Sequence, residues 1–182
     1  KNFDIIEIHK KLPNTIIKNL NLGYDPRVFT SKNLRHYFSN NNLTPVNNNL
    51  VDQIFKFKEK KTKPFYSLKK DIIGETHQSK ILKITNFLKS NKTDYLFVSA
   101  PENVAWLLNI RGFDNPNSPI PNARLIISKN KELFLIAKKD NTKKIIQEKK
   151  INKDNVIDIK YLPNLIHNLK GKNFIIDNKS CS

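Results

Sequence analysis

The sequence predicts an α/β protein built on a mixed five-stranded sheet with helices on both faces. From residue 74 onward, helical and strand patterns follow one another in the order α-β-α-β-β-α-β-α-β. One pair of strands is joined by the short turn Lys129–Lys131, which indicates a hairpin. The other strands are separated by helices, as in βαβ units. A sheet that contains both kinds of connection is mixed.

The elements of this region follow from apolar spacing and turn signals. Gly74-Glu75-Thr76 opens a helix to about Lys89 with apolar residues at helical spacing. Pro101 and Glu102 suit the first turn of the next helix, which stops before Gly112. A Pro- and Asn-rich loop covers 113–122, and two more helices are predicted at 142–150 and 163–170. The predicted strands are Tyr95–Ser99, Ala123–Ser128, Glu132–Ala137, Val156–Lys160 and Asn173–Asp177.

The first 48 residues are interpreted as the C-terminal part of another domain. Leu20–Asp25 is a strand candidate that ends before a proline, because the residue preceding proline avoids the helical region. Thr30 or Ser31 can cap a helix to about Asn40, and Leu43–Val46 is a last strand. The predicted organisation is therefore a partial domain at 1–48, a linker at 49–73 and a second domain at 74–182.

The formal charge of +17 suggests a nucleic-acid binder, but the composition argues otherwise. Arg, the residue suited to bidentate phosphate and guanine contacts, occurs four times, against 29 Lys, 26 Asn and 23 Ile. Such a bias is typical of an AT-rich genome. The basic run Lys56–Pro64, flanked by aromatic residues, is either a stacking strip for nucleic acid or a solvated linker pinned by its aromatics.

Several other classes of protein are not indicated. The chain has no apolar run of about 18 residues and no signal-peptide pattern at its start, so no membrane partner is expected. Cys181 is the single cysteine, which favours a reducing, cytoplasmic location. With only four glycines, the chain has no glycine-rich phosphate-binding loop. The His, Asp and Glu residues do not have the spacing of a metal-binding motif. The absence of Met suggests a piece of a longer protein.

The segment 99–114 is the best candidate for function, because it joins a strand, a helix and a long loop. It holds Trp106, the only Trp, together with Arg111, Phe113 and Asp114. Trp106 either packs in the core or walls a pocket. Arg111 and Asp114 either form a local ion pair or face a cleft, and Phe113 folds back onto the helix end in the simplest alternative.

The stretch Val98–Asp114, "VSAPENVAWLLNIRGFD", resembles the strand–helix–loop signature of the middle domain of Xaa-Pro aminopeptidases, in the creatinase/prolidase superfamily. Leu22–Pro26 is similar to the "GxDP" element of that family's first domain, and Asn49–Phe55 resembles the segment that leaves it. There the family usually has a Trp followed by Arg-Pro; this chain has Phe55 and no Arg-Pro. Gly74–Lys80 resembles the start of the middle domain's first helix.

The resemblance implies an RNase H-like three-layer α/β/α fold of the creatinase N-terminal type, preceded by the end of a similar first domain. It places catalysis in a third, "pita-bread" domain of the same chain, where two divalent metal ions, often manganese, are held by Asp, His and Glu. This chain alone is therefore expected to hold no cofactor and to be inactive. The partners implied are that catalytic domain, an Xaa-Pro peptide and, as an open question, a second copy of the chain.

By the same resemblance, four residues are expected to line the substrate cleft: Trp106, Arg111, Phe113 and Asp114. Arg111 would pair with a substrate carboxylate or an acidic residue of the catalytic domain, and Asp114 would attract a free amino terminus. Trp106 would wall a side-chain pocket. Two rival functions stay open, a basic nucleic-acid-binding module and a stand-alone interaction or oligomerisation domain.

Overall fold

The computed structural model describes residues 5, 7, 11–55 and 63–181. The chain divides into two compact units, residues 1–59 with 178–182 and residues 60–177. Most of the basic run at Lys56–Pro64 lies outside the described residues, as do most of the first ten residues. No helix in the described part of the chain is long and apolar enough to cross a membrane.

The described residues of the first unit form a two-stranded parallel sheet and three short helices. Strand β1 pairs with β2 from Asn21↔Asn42 to Tyr24↔Pro45. The helices and strands are α1 (Pro13–Ile16), β1 (Asn21–Tyr24), α2 (Ser31–Phe38), β2 (Asn42–Pro45) and α3 (Leu50–Ile54). The Thr30 side chain accepts a hydrogen bond from the Asn33 amide and caps α2, as its position predicts.

The second unit contains the predicted mixed sheet, in the order β8-β7-β6-β4-β9. Neighbours β8–β7 and β4–β9 are parallel, whereas β7–β6 and β6–β4 are antiparallel. Its helices are α4 (His77–Ser90), α5 (Pro101–Leu108), α6 (Lys139–Gln147) and α7 (Leu162–Asn168). Its strands are β3 (Tyr66–Ser67), β4 (Tyr95–Val98), β5 (Ile110–Arg111), β6 (Arg124–Ser128), β7 (Leu133–Ile136), β8 (Val156–Ile157) and β9 (Phe174–Ile176).

The centre of this sheet is covered on both sides. The three consecutive residues Leu125, Ile126 and Ile127 of β6 are all fully buried. Because successive side chains of a strand point to opposite faces, burial of all three means that both faces of β6 are packed. The fold class expected from the sequence, an α/β domain on a mixed five-stranded sheet, is confirmed.

The structure adds a second, smaller pairing. Strand β3 runs antiparallel to β5 through Tyr66↔Arg111 and Ser67↔Ile110. Phe65, next to β3, is fully buried in the core of this unit, and its amide donates to the Asn141 carbonyl at 2.7 Å. Residues 65–67, which fall in the stretch expected to be linker, thus pack against the segment that holds the candidate site.

Candidate functional site

Helix α5 begins as its sequence predicts, but it ends at Leu108, and strand β5 separates it from Gly112. Pro101 occupies its first turn together with Glu102, and its C-cap is Asn109. Asn109 takes the left-handed conformation, with φ of 51°, which ends a helix by turning the chain away. The buried face of α5 consists of Val104, Ala105, Leu107 and Leu108, whereas Glu102, Asn103 and Trp106 form its exposed stripe.

Trp106 lies on the surface of the unit. Its side chain is 58% exposed, so the alternative that it belongs to the core is wrong. The Lys80 Nζ sits 4.0 Å from the centroid of the indole ring, which is a close cation–π contact. The ring therefore has one face against a cation of α4, while much of it remains accessible.

Arg111 is held by the end of α5. Its Nη1 donates to the carbonyl oxygens of Ile110 at 2.8 Å and of Ala105 at 3.5 Å. In the β3–β5 ladder it lies directly opposite Tyr66. The guanidinium is half-buried, and its position is set by backbone atoms on two sides.

Phe113 shares this corner with Arg111 rather than folding onto the helix end. Its ring lies 5.2 Å from that of Tyr66, and the Lys63 Nζ is 5.3 Å from its centroid. The side chain is 54% exposed. Tyr66 thus brings Arg111 and Phe113 together, since it pairs with one and packs against the other.

Asp114 turns towards the other side of the loop. Its Oδ2 accepts from the Asn122 amide at 2.6 Å, and its Oδ1 accepts from the Asn141 Nδ2 at 3.0 Å. Arg111 and Asp114 are thus bonded to different partners, and the local ion pair between them is not present in the described structure. The Asp114 carboxylate fixes the loop against the start of α6.

A groove of about 440 Å³ opens between the start of α5 and this loop. Asp114 is the only one of the four predicted residues on its wall. The lining residues are Pro101, Glu102, Asp114, Asn115, Pro116, Ile120, Pro121 and Asn122. Three proline rings and one isoleucine give it apolar walls, and two carboxylates give it negative charge.

The C-terminal end of α5 is surrounded by cations. The Lys80 Nζ donates to the Trp106 carbonyl at 2.6 Å and to the Asn109 Oδ1 at 2.7 Å. The Lys150 Nζ donates to the carbonyls of Leu108 at 2.9 Å and of Asn109 at 3.3 Å. Cations are favourable at this end of a helix, because its last carbonyls have no partner within the helix and carry partial negative charge.

Burial lowers the pKa of the basic side chains near the end of α5. Desolvation lowers the pKa of Lys80, Glu75 acts to raise it and Arg111 lowers it. Desolvation also lowers the pKa of Lys150, against the raising effect of Glu148, and neighbouring Lys80 lowers it further. The pKa of His77 falls for the same reason, first by burial and then by the charges of Lys150 and Lys80.

The residues that hold this segment in place are not among those that the sequence singles out. Lys80 lies on the apolar stripe of α4 with Ile81, Ile84 and Leu88, and a lysine on such a stripe is a signal that could have been read. Lys150, Asn141 and Tyr66 reach the segment only through the tertiary fold, and no local pattern marks them.

The described residues do not form a metal site. No group of three or more His, Cys, Asp or Glu side chains in this part of the chain is placed to hold a metal ion. Asp114 and Glu102 are the acidic residues of the groove, and Asp114 already accepts two hydrogen bonds. The residues present therefore do not fit a pair of divalent ions, and no hydrolytic step is assigned to them.

Comparison with known proteins decides the family. Residues 56–182 match the creatinase/prolidase N-terminal domain family. The chain belongs to this family. The match takes in the whole of α5, the loop and the groove, so the candidate site lies inside a creatinase/prolidase N-terminal domain.

Relatives of this creatinase/prolidase N-terminal domain include aminopeptidases. The chain is 30% identical over 140 residues to aminopeptidase P2 of Arabidopsis thaliana. The aligned stretch covers 70% of this chain and 19% of that protein. The chain is also 30% identical over 108 residues to Xaa-Pro aminopeptidase 2 of Rattus norvegicus, covering 54% and 16% of the two chains. The chain thus spans less than a fifth of the length of these relatives.

A solved structure has the same fold. X-prolyl aminopeptidase from Caenorhabditis elegans, described as a cytosolic enzyme with a di-nuclear active site, superposes with a TM-score of 0.70. The two sequences are 20% identical, and the match covers 88% of this chain and 26% of the other. At this identity the similarity shows the fold.

Proposed function

We propose that this chain is the non-catalytic N-terminal region of a Xaa-Pro aminopeptidase. The observation that carries the proposal is the family match over residues 56–182, joined to relatives that are themselves Xaa-Pro aminopeptidases. The parent protein would remove the first residue from peptides that have proline second, in the cytoplasm. The cytosolic enzyme from C. elegans supports that location.

In this proposal the metal chemistry belongs to a catalytic domain of the same polypeptide. The solved relative has a di-nuclear active site, and two divalent ions, with manganese as our candidate, would supply a metal-activated hydroxide there. The partners of this chain are then that catalytic domain and the Xaa-Pro peptide. A second copy of the chain is a further partner to be tested by sedimentation.

The role proposed for this chain is to cap and shape the substrate cleft. Trp106 and Phe113 offer exposed aromatic rings, which can wall a side-chain pocket. Arg111 makes its carbonyl contacts through Nη1, which leaves its Nε and Nη2 to pair with a carboxylate. Asp114 contributes negative charge beside the groove, which favours a free amino terminus.

The cleft role is tested by kinetics of the protein expressed from its complete reading frame. Arg111→Met should raise KM for an Xaa-Pro peptide about tenfold or more, because a lost hydrogen bond to a charged group costs about 1.5–3 kcal/mol. Trp106→Ala should raise KM in the same direction. Lys143→Met is the matched control, since this exposed lysine pairs with Asp140 on α6. A KM equal to that of the control in both variants would contradict the cleft role.

A further inference from the structure

Lys80 is an unusual lysine, because it is only 5% exposed. Lysine is rarely buried unless its ammonium group is paired or coordinated by acceptors. Glu75, a carboxylate whose charge acts on Lys80, instead forms an ion pair with Lys83 at 2.8 Å. The protein therefore places a cation inside the unit for contacts other than a salt bridge.

The contacts of the Lys80 ammonium all lie at the end of α5. Its Nζ donates to the Trp106 carbonyl at 2.6 Å and to the Asn109 Oδ1 at 2.7 Å. It also sits 4.0 Å above the indole ring of Trp106. One ammonium group thus binds the backbone of Trp106, its side chain and the residue that ends the helix.

Asn109 extends this set of hydrogen bonds to the segments next to α4 and to the β3–β5 ladder. Its Nδ2 donates to the Glu75 carbonyl at 2.8 Å, which ties the end of α5 to the segment preceding α4. Its own carbonyl accepts from the Leu68 amide at 3.0 Å, next to the β3–β5 ladder. Because Arg111 follows two residues later, the left-handed turn at Asn109 sets the direction in which Arg111 leaves the helix.

We propose that Lys80 is the positioning residue of the cleft segment: its ammonium group fixes the end of α5 and thereby the placement of Trp106 and Arg111. The use of that segment in a substrate cleft rests on the proposed function. The restraint itself does not, because it concerns only contacts within this unit.

The charges that face Lys80 come from several elements. Glu75 precedes α4, His77 is the first residue of that helix, Arg111 lies on β5 and Lys150 follows α6. Desolvation dominates and lowers the pKa of Lys80, so its ammonium loses its proton at a lower pH than that of an exposed lysine. Loss of the proton removes the cation–π contact and weakens the hold on Trp106.

Two measurements on the 182-residue chain test the proposal. Trp106 is the only Trp, so emission excited at long wavelength reports on the surroundings of its indole ring, which include the Lys80 ammonium. In the native protein the emission should change in a step at alkaline pH, below the range of an exposed lysine. Lys80→Met should remove the step, whereas Lys89→Met, a change at an exposed position of the same helix, should keep it.

Amide exchange provides the second measurement. In Lys80→Met the exchange of amides at residues 109–112 should quicken about tenfold or more, while those of Leu125–Ile127 stay protected. Lys80→Arg, which keeps the charge, should restore part of the protection. Exchange at 109–112 equal to that of the native protein would overturn the proposal.

If Lys80→Met does not fold, the native titration decides the question. A step below the range of exposed lysines supports the proposal, and constant Trp106 emission from neutral to alkaline pH overturns it. Neither readout depends on peptide hydrolysis. A loosened 109–112 segment together with an unchanged KM for Arg111→Met would refute the cleft role and leave the positioning role of Lys80 intact.

Discussion

Gly112 stands at the point where the chain leaves β5 and enters the loop. Its amide donates to the Pro119 carbonyl at 3.0 Å, which closes the base of the loop. A Cβ atom at this position would lie 2.6 Å from the Pro121 Cα. Backbone atoms cannot yield as the end of a flexible side chain can, so only glycine fits here.

Gly112→Ala should therefore lower the free energy of unfolding by about 1–3 kcal/mol, the usual cost of overpacking. Gly74→Ala is the matched control, because nothing lies within 4 Å of its Cβ position. The control should change stability by about 0.5 kcal/mol at most. Urea denaturation followed by Trp106 emission measures both, and equal stability of the two variants would contradict the close approach of Gly112 to Pro121.

Asp25, in the first unit, carries a strongly shifted carboxyl group. Hydrogen bonds from the Arg27 side chain and amide, with one from Asn49, lower the pKa of Asp25 to about 2. Its unfolded value is about 4. A carboxyl group with a lowered folded pKa stabilises the protein above pH 4, and that contribution is lost as the pH falls towards 2.

Asp25→Asn should accordingly flatten the pH dependence of stability of the first unit between about pH 4 and 2. Asp52→Asn should keep that dependence, because it leaves the bidentate contact of Arg27 with Asp25 in place. Urea unfolding followed by the amide signals of β1 and β2 is the measurement. An unchanged pH dependence in Asp25→Asn would show that Asp25 is not responsible.

The end of α5 depends on Asn109, which contributes both a backbone conformation and side-chain hydrogen bonds. Asn109 adopts a left-handed conformation, which costs most side chains about 1–2 kcal/mol. It also accepts from Lys80 and donates to the Glu75 carbonyl. Conformation and hydrogen bonding are separable, because glycine supplies the first without the second.

Asn109→Gly should destabilise the second unit by about 1–3 kcal/mol, because a buried ammonium loses an acceptor. Asn109→Ala should cost about 1 kcal/mol more, from the left-handed conformation. Denaturation curves followed by Trp106 emission give both differences. Equal stability of the native protein and Asn109→Gly would show that the Asn109 side chain does not stabilise the second unit.

The elements that the sequence predicts well are those with strong local signals. Helix α4 follows its Thr76 cap and apolar stripe, and Pro101 correctly places the start of α5. The start of α6 is predicted three residues late, at residue 142, whereas the helix begins at Lys139 and buries Asn141 and Thr142. Strand β8 ends early because the Asp158 side chain accepts from the Lys160 amide and begins a 3-10 turn.

Other features depend on contacts between residues that are far apart in the sequence, and no local sequence pattern predicts such contacts. Strand β3 exists because Tyr66 and Ser67 meet β5. The order of strands in the sheet comes from packing as well. For the site, the sequence singles out Trp106 and Arg111, but the lysines that hold them come from other helices and from the turn after α6.

The net charge of +17 makes binding to nucleic acid a property to be measured directly. Two of the lysines are used internally, at the end of α5, and not for an external partner. We expect binding to a DNA or RNA oligonucleotide to be weak and unsaturable at physiological salt, measured by fluorescence anisotropy. Saturable binding with a steep salt dependence would instead favour a nucleic-acid function.

We propose that this chain shapes a substrate cleft and that another domain of the same polypeptide carries out the chemistry. The most direct test measures release of the first residue from an Xaa-Pro peptide in the presence of manganese, by the 182-residue chain and by the protein from the complete reading frame. We expect release by the longer protein and none by this chain. Clear turnover by the 182-residue chain alone would contradict it.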